Sequence, residues 1–228
     1  MENPRILKDA DRTSIRFYTL DNRVEDSVRR EIGNFFTLRN KGDWNDVIYS
    51  CVKELMVNAS KSNIKKTFFI EAKISEQDKE IYEIAKTKVK KIMREEYFAY
   101  IRNKLIKHDH DVVVQFEDDG KGIVISVTNP NPLLADEEER IRKALRTAMS
   151  GDCSELALYY EDEDGAGEGA SLGLIMIVQL LRQLEIDPSL FRIGVIEGNT
   201  VARIEIPLDG NYTDRRKNPS KRGKYAAA

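Results

Sequence analysis

The chain has 228 residues, 41% hydrophobic and 33% charged, which suits one generous domain with a sizeable core. Its 37 Lys plus Arg against 39 Asp plus Glu leave no basic footprint, so a nucleic-acid partner is not expected. No signal peptide opens it, L-I-M-I-V-Q-L-L (174–181) is too short and interrupted to span a bilayer, and two cysteines without metal spacing suit a reducing cytoplasm.

In chain order, residues 1–14 read as a flexible polar N-terminus and I-R-F-Y-T-L (15–20) as a short strand. Val24, Val28, Ile32 and Phe35 or Phe36 recur at helical spacing. Asp43, three residues before Asp46, is placed to cap a second helix running to about Asn63. On that helix Val47, Ile48, Cys51, Val52, Leu55 and Ala59 form an apolar face, which makes Cys51 a buried core thiol. Glu54, Asn58 and Lys61 share a neighbouring face. T-F-F-I-E-A-K-I (67–74) is expected to be a strand.

Ser75 opens a long helical run, a segment of about 76–108. Its charged face, with Tyr82, Tyr97 and Tyr100, suits a partner or a self-associating helix pair as well as it suits packing on a sheet edge. His108 and His110 read as exposed loop histidines. Residues 111–129 read as two strands joined by D-D-G-K-G, a hairpin signal. A helix over 137–149, an acidic Gly-rich loop over 150–170 and a buried helix from Ser171 follow. F-R-I-G-V-I-E-G-N-T-V-A-R-I-E-I-P-L (191–208) is a second hairpin, and residues 209–228 a basic flexible tail. The pattern predicts an α+β fold, an α/β sandwich with one mixed, mostly antiparallel sheet covered by helices.

D-E-D-G-A-G-E-G-A-S-L-G-L (162–174) places glycines before a helix N-terminus, where backbone N–H groups approach phosphate closely. A glutamate on another helix could orient water, an Asn carbonyl could ligate Mg²⁺, and a Lys could offset phosphate charge. A solvated helix face for Glu54, Asn58 and Lys61, and a flexible loop at Gly165, Gly167 and Gly169, account for the same residues.

E-L-M-V-N-A-S-K (54–61) resembles the N box of the histidine-kinase-like ATPase superfamily, the domain shared by histidine kinases, anti-sigma kinases, MutL and gyrase B. G-A-S-L-G-L (169–174) resembles its second glycine box, and G-N-T-V-A-R-I-E-I-P-L (198–208) its last hairpin. The three stand in family order. The resemblance implies a Bergerat-type ATP-binding fold over 15–208 with a helical insertion at about 76–108, and ATP with Mg²⁺ as cofactors. By it, Glu54 activates water or polarises the acceptor, Asn58 holds Mg²⁺ and Lys61 lies near phosphate. Residues 165–173, with Gly165, Gly167, Gly169, Ser171, Leu172 and Gly173, form the ATP lid, and Thr200 lies on the pocket floor.

The first glycine box departs from the family. D-D-G-K-G-I (118–123) has its letters but reads as a hairpin turn. The strand that should deliver the box's Asp is V-I-S-V-T, which ends at Asn129, with Asn131 and Pro132 among the glycine positions. An Asn lacks the carboxylate's charge-assisted bond to the adenine amine. The expectation is a cytoplasmic, stand-alone ATP–Mg²⁺ regulatory domain with a protein partner and a possible homodimer. It would be a protein kinase or a slow ATPase in signalling. The alternative is a degenerate ATPase fold kept as a protein-interaction module.

Overall fold

A computed structural model describes residues 4–74, 98–151 and 170–217. The expectations for residues 75–97, for most of the Gly-rich loop, for Cys153 and for the end of the tail lie outside the described residues.

Six strands form one sheet: β1 (Arg5–Asp9), β2 (Arg12–Phe17), β3 (Val112–Asp118), β4 (Gly122–Asn129), β5 (Phe191–Ile196) and β6 (Asn199–Pro207), in the order β1-β2-β3-β4-β6-β5. Every pairing in it is antiparallel, where a mixed sheet was expected. Three of the five pairings are hairpins with short turns, which admit no parallel strand. Both expected hairpins form, with Gly120 (φ 78°) in the first turn and Glu197 (φ 51°) with Gly198 (φ 78°) in the second.

The described helices are α1 (Asn22–Thr37), α2 (Asn45–Glu71), α3 (Phe98–Lys107), α4 (Ala135–Ser150) and α5 (Ala170–Gln183). Asp21 caps α1 by accepting from Val24 N at 3.0 Å, and Val24, Val28, Ile32 and Phe36 are buried. Alternation on the strands builds the facing surface. Val114, Val127 and Ala202 form one cross-strand row, and Phe116, Ile125 and Ile204 the next; all are buried. α2 packs on β3 and β4 and against α1 and α5, so the core lies between this helix layer and one face of the sheet.

Four expectations change. The polar N-terminus contains β1, held by the ladder to β2 although all five of its residues are exposed. Asp43 does not cap α2, because it falls inside a 3₁₀ turn, Gly42–Trp44, that leads directly into the helix. Nor does α2 stop at Asn63. It continues to Glu71, so the expected strand at 67–74 is instead its last turn and the residues that follow its C-cap. Asn63 and Thr67 stay on its buried side because distant polar groups receive them, and Phe69 is buried with Phe68, Ile74 and Leu134 around it.

The described part of the tail is not loose either. Residues 208–217 lie on the sheet face opposite the layer of α1, α2 and α5, and Val124, Ser126, Arg203 and Glu205 on that face are buried. Leu208 N donates to Lys121 O at 2.9 Å, and the Tyr212 hydroxyl donates to Glu205 Oε2 at 2.7 Å. Arg215 Nη1 donates to Glu117 Oε2 at 2.6 Å. Gly122 makes this possible, since a Cβ there would run into the Tyr212 ring. No helix among the described residues is long and apolar enough to cross a membrane.

Candidate functional site

Helical spacing puts Glu54 and Asn58 one turn apart on α2, and Asn58 Nδ2 donates to Glu54 Oε1 at 3.0 Å. The bond orients the amide: with the nitrogen on the carboxylate, Oδ1 is turned away. That oxygen is buried and has no hydrogen-bond partner among the described residues. The Glu54 side chain lies against Gly173 in the first turns of α5. A Cβ at Gly173 would stand 2.8 Å from Glu54 Cγ and closer still to the carboxylate. Glycine is therefore what lets the two helices share this carboxylate.

A second polar group stands at the end of the sheet. Asn129, 3% exposed, closes β4 opposite Thr200 and points to the helix-covered face, two residues on from Val127. Its Nδ2 is buried without a partner. The turn beyond is tied on both sides. Thr200 Oγ1 and N donate to Asn131 O at 2.5 and 3.2 Å, and Asn131 Nδ2 donates to Asn63 Oδ1 at 2.6 Å. Asn63 Nδ2 in turn donates to the carbonyls of His110 and Asp111 at 3.1 and 2.8 Å. The chain closes where Thr67 Oγ1 meets His110 Nδ1 at 2.6 Å.

The structure thus brings together Glu54, Asn58 and Gly173, and separately Asn129, Asn131 and Thr200, with α2 touching both groups through Glu54, Asn58 and Asn63. Lys61 is exposed and Leu172 half-buried. Ser171 belongs to α5, and Gly165, Gly167 and Gly169 lie outside the described residues. The D-D-G-K-G stretch is a hairpin turn, as its sequence indicates, and β4 delivers Asn129.

Sequence reasoning missed Asn63, Thr67 and His110. Their signal was present: Ala59, Asn63 and Thr67 follow each other at four-residue steps on the buried side of α2. His110 is buried, contrary to expectation, and burial holds its imidazole below the ordinary 6.5, helped by the charges of His108 and Lys66. Burial likewise raises the Asp111 carboxyl despite the Arg16 guanidinium bonded to it. His108 is partly buried and lies 2.6 Å from Glu71 Oε1. Cys51 is a buried core thiol, as expected, and burial pushes it up to about 12.

Among the described residues no group of three or more His, Cys, Asp or Glu could hold a metal ion. Asn58 Oδ1 and the Glu54 carboxylate are the hard oxygens that could face a cation at this point. A separate groove of about 1080 Å³ opens by the β1–β2 turn, lined by Lys8, Arg12, Glu31, Glu117, Asp118 and Arg215. Its charges pair across the walls, Lys8 with Glu31 at 2.8 Å and Arg12 with Glu117 at 2.9 Å, so no single sign of ligand is selected.

No family model and no solved structure matches the chain. It is similar to a curated protein of Treponema pallidum (strain Nichols) bearing the name "Uncharacterized protein", at 25% identity over 198 residues. That alignment covers 85% of this chain and 37% of the relative, so the chain spans little more than a third of the length of the protein it resembles.

Proposed function

We propose that this chain is a histidine-kinase-like, Bergerat-type domain that binds ATP with Mg²⁺ in a regulatory role. The observation that carries the reading is the buried, unpartnered Asn58 Oδ1, fixed by Glu54 beside the first turns of α5. An orphaned buried carbonyl costs about 1–3 kcal/mol, which a bound ligand would recover. Asn58 would hold the metal, which would offset the charge of the phosphates. Glu54 would orient the attacking hydroxyl or water, and the α5 end would face the phosphates. Thr200 and Asn131 fix the main chain around Asn129 at the base end.

A specific observation favours a second reading, the interaction module. Asn129 replaces an anionic acceptor by an amide whose Nδ2 has no partner, and the Asn63–Asn131 bond braces the turn beyond it. On that reading nucleotide is weak or absent and turnover nil.

Calorimetric titration with a non-hydrolysable ATP analogue plus Mg²⁺ separates them. The first reading expects micromolar affinity that falls at least about tenfold in Asn58→Ala, with Glu54→Gln keeping affinity and losing turnover. No heat up to millimolar analogue removes the nucleotide reading and leaves the module.

A further inference from the structure

We infer that β1 is a self-association edge, at which two copies of the chain pair β1 with β1 antiparallel about a two-fold axis at Leu7. The inference does not depend on nucleotide binding. Among the described residues β1 ends the sheet, and all five of its own residues are exposed, Ile6 at 41% and Leu7 at 56%. An edge strand is a template for further pairing unless it is guarded, most often by a lysine. The lysine here, Lys8, is drawn away to Glu31, at 2.8 Å.

The main chain fixes which groups are offered. A two-residue turn joins β1 to β2, so the pair that closes it, Asp9 with Arg12, exchanges both ladder bonds. Alternation gives the bonds to β2 to Leu7 and Arg5 as well. The N–H and C=O groups of Ile6 and Lys8 then point to the open edge. A second β1 centred on Leu7 sets Ile6 opposite the partner's Lys8, so that all of these groups bond. Leu7 meets its own copy at a non-bonded position, where side chains approach most closely.

Side-chain charge selects the same register. With the axis at Leu7, Arg5 lies opposite Asp9 of the second copy, twice over. Within its own hairpin Arg5 faces Arg16, a like-charge pair that is unfavourable across strands. The second copy brings a carboxylate to its other side. Moving the axis to Lys8 opposes two ammonium groups. An axis at Ile6 leaves Arg5 and Asp9 without each other and sets Pro4, which has no N–H, against Lys8.

Sedimentation equilibrium of the full chain tests this. The expected result is a dimer whose dissociation constant rises about tenfold or more in Arg5→Asp and in Asp9→Arg, and returns in the double variant, which restores both pairs with signs exchanged. Leu7→Cys should cross-link between copies on mild oxidation, and Ile6→Cys should not. A monomer at about 100 µM, a concentration well above useful affinities, overturns the inference. So does a dimer indifferent to the charge variants in which Leu7→Cys forms no cross-link. Where a charge variant fails to fold, as read by its melting curve, the cross-link decides alone.

Discussion

The two faces of the sheet each bury a polar cluster built round one glutamate, and the clusters differ in how fully that glutamate is engaged. On the face crossed by the C-terminal segment, Glu205 is fully buried and both its oxygens are doubly engaged. Oε1 meets Arg192 at 3.0 Å and Arg203 at 3.2 Å, while Oε2 accepts from the Tyr212 hydroxyl at 2.7 Å and from Arg215 N at 3.0 Å. On the helix face, Glu54 has one bond from Asn58, and the Asn58 carbonyl and the Asn129 amide nitrogen have none. A glutamate with every lone pair taken is mortar between segments. One with a single side-chain bond, to the next turn of its own helix, ties no distant segment. Charge alone would not have told them apart.

If that contrast is right, the largest effect belongs to Glu205. Glu205→Ala leaves Arg192 and Arg203 facing each other across β5 and β6 and is expected to cost about 3–5 kcal/mol in urea unfolding. A cost under about 1 kcal/mol would put Glu205 with the ordinary surface ion pairs instead.

The two tight glycines give the next test. Gly122→Ala drives a methyl into the Tyr212 ring and to 3.0 Å from the Ile206 carbonyl, with an expected loss of about 1–3 kcal/mol. Gly173→Ala meets the Glu54 side chain first, which can swing aside, so stability should fall by less than about 1 kcal/mol while analogue affinity drops. Equal stability losses in the two variants would erase the distinction between the faces.

The smallest effect is a slope with pH. His110 titrates below its ordinary 6.5 because it is buried, so the unfolded chain binds more protons between the two values. Its contribution is full above about pH 6.5 and is lost as pH falls through 6.5 towards the folded value. Unfolding midpoints compared at pH 7.5 and 5.5 should therefore drop, and His110→Gln should reduce the drop. An unchanged drop would assign the slope elsewhere.

The sequence was most legible where periodicity and turn chemistry act locally. The D-D-G-K-G and E-G-N turns fall at the hairpins, the period of Val24 to Phe36 marks α1, and spacing alone put Glu54 and Asn58 on one face. It was opaque where a residue's partner is remote. Asn63 is held on the buried face by His110 and Asp111, 47 and 48 residues away, and Asn131 by Thr200, 69 away. Propensity read Thr67 to Ile74 as extended because β-branched and aromatic residues cluster there. Tertiary bonds overrode it. β1 and Arg215 carry no apolar alternation at all. Their order comes from a ladder and from ion pairs that only the assembled sheet provides.

The unbroken run of α2 has a consequence for how such a chain can vary in length. Its 27 residues make a rod of about 40 Å on which Glu54 meets α5, Asn63 meets the Asn131 turn and Thr67 meets His110. One inserted residue between Glu54 and Asn63 would advance the far part by about 1.5 Å and turn it by about 100°. Either Glu54 or both distal contacts would then face the wrong way. The helix works as a graduated rule whose marks cannot slide separately, so gains and losses of residues fall to the connections before Asn45 and after Glu71.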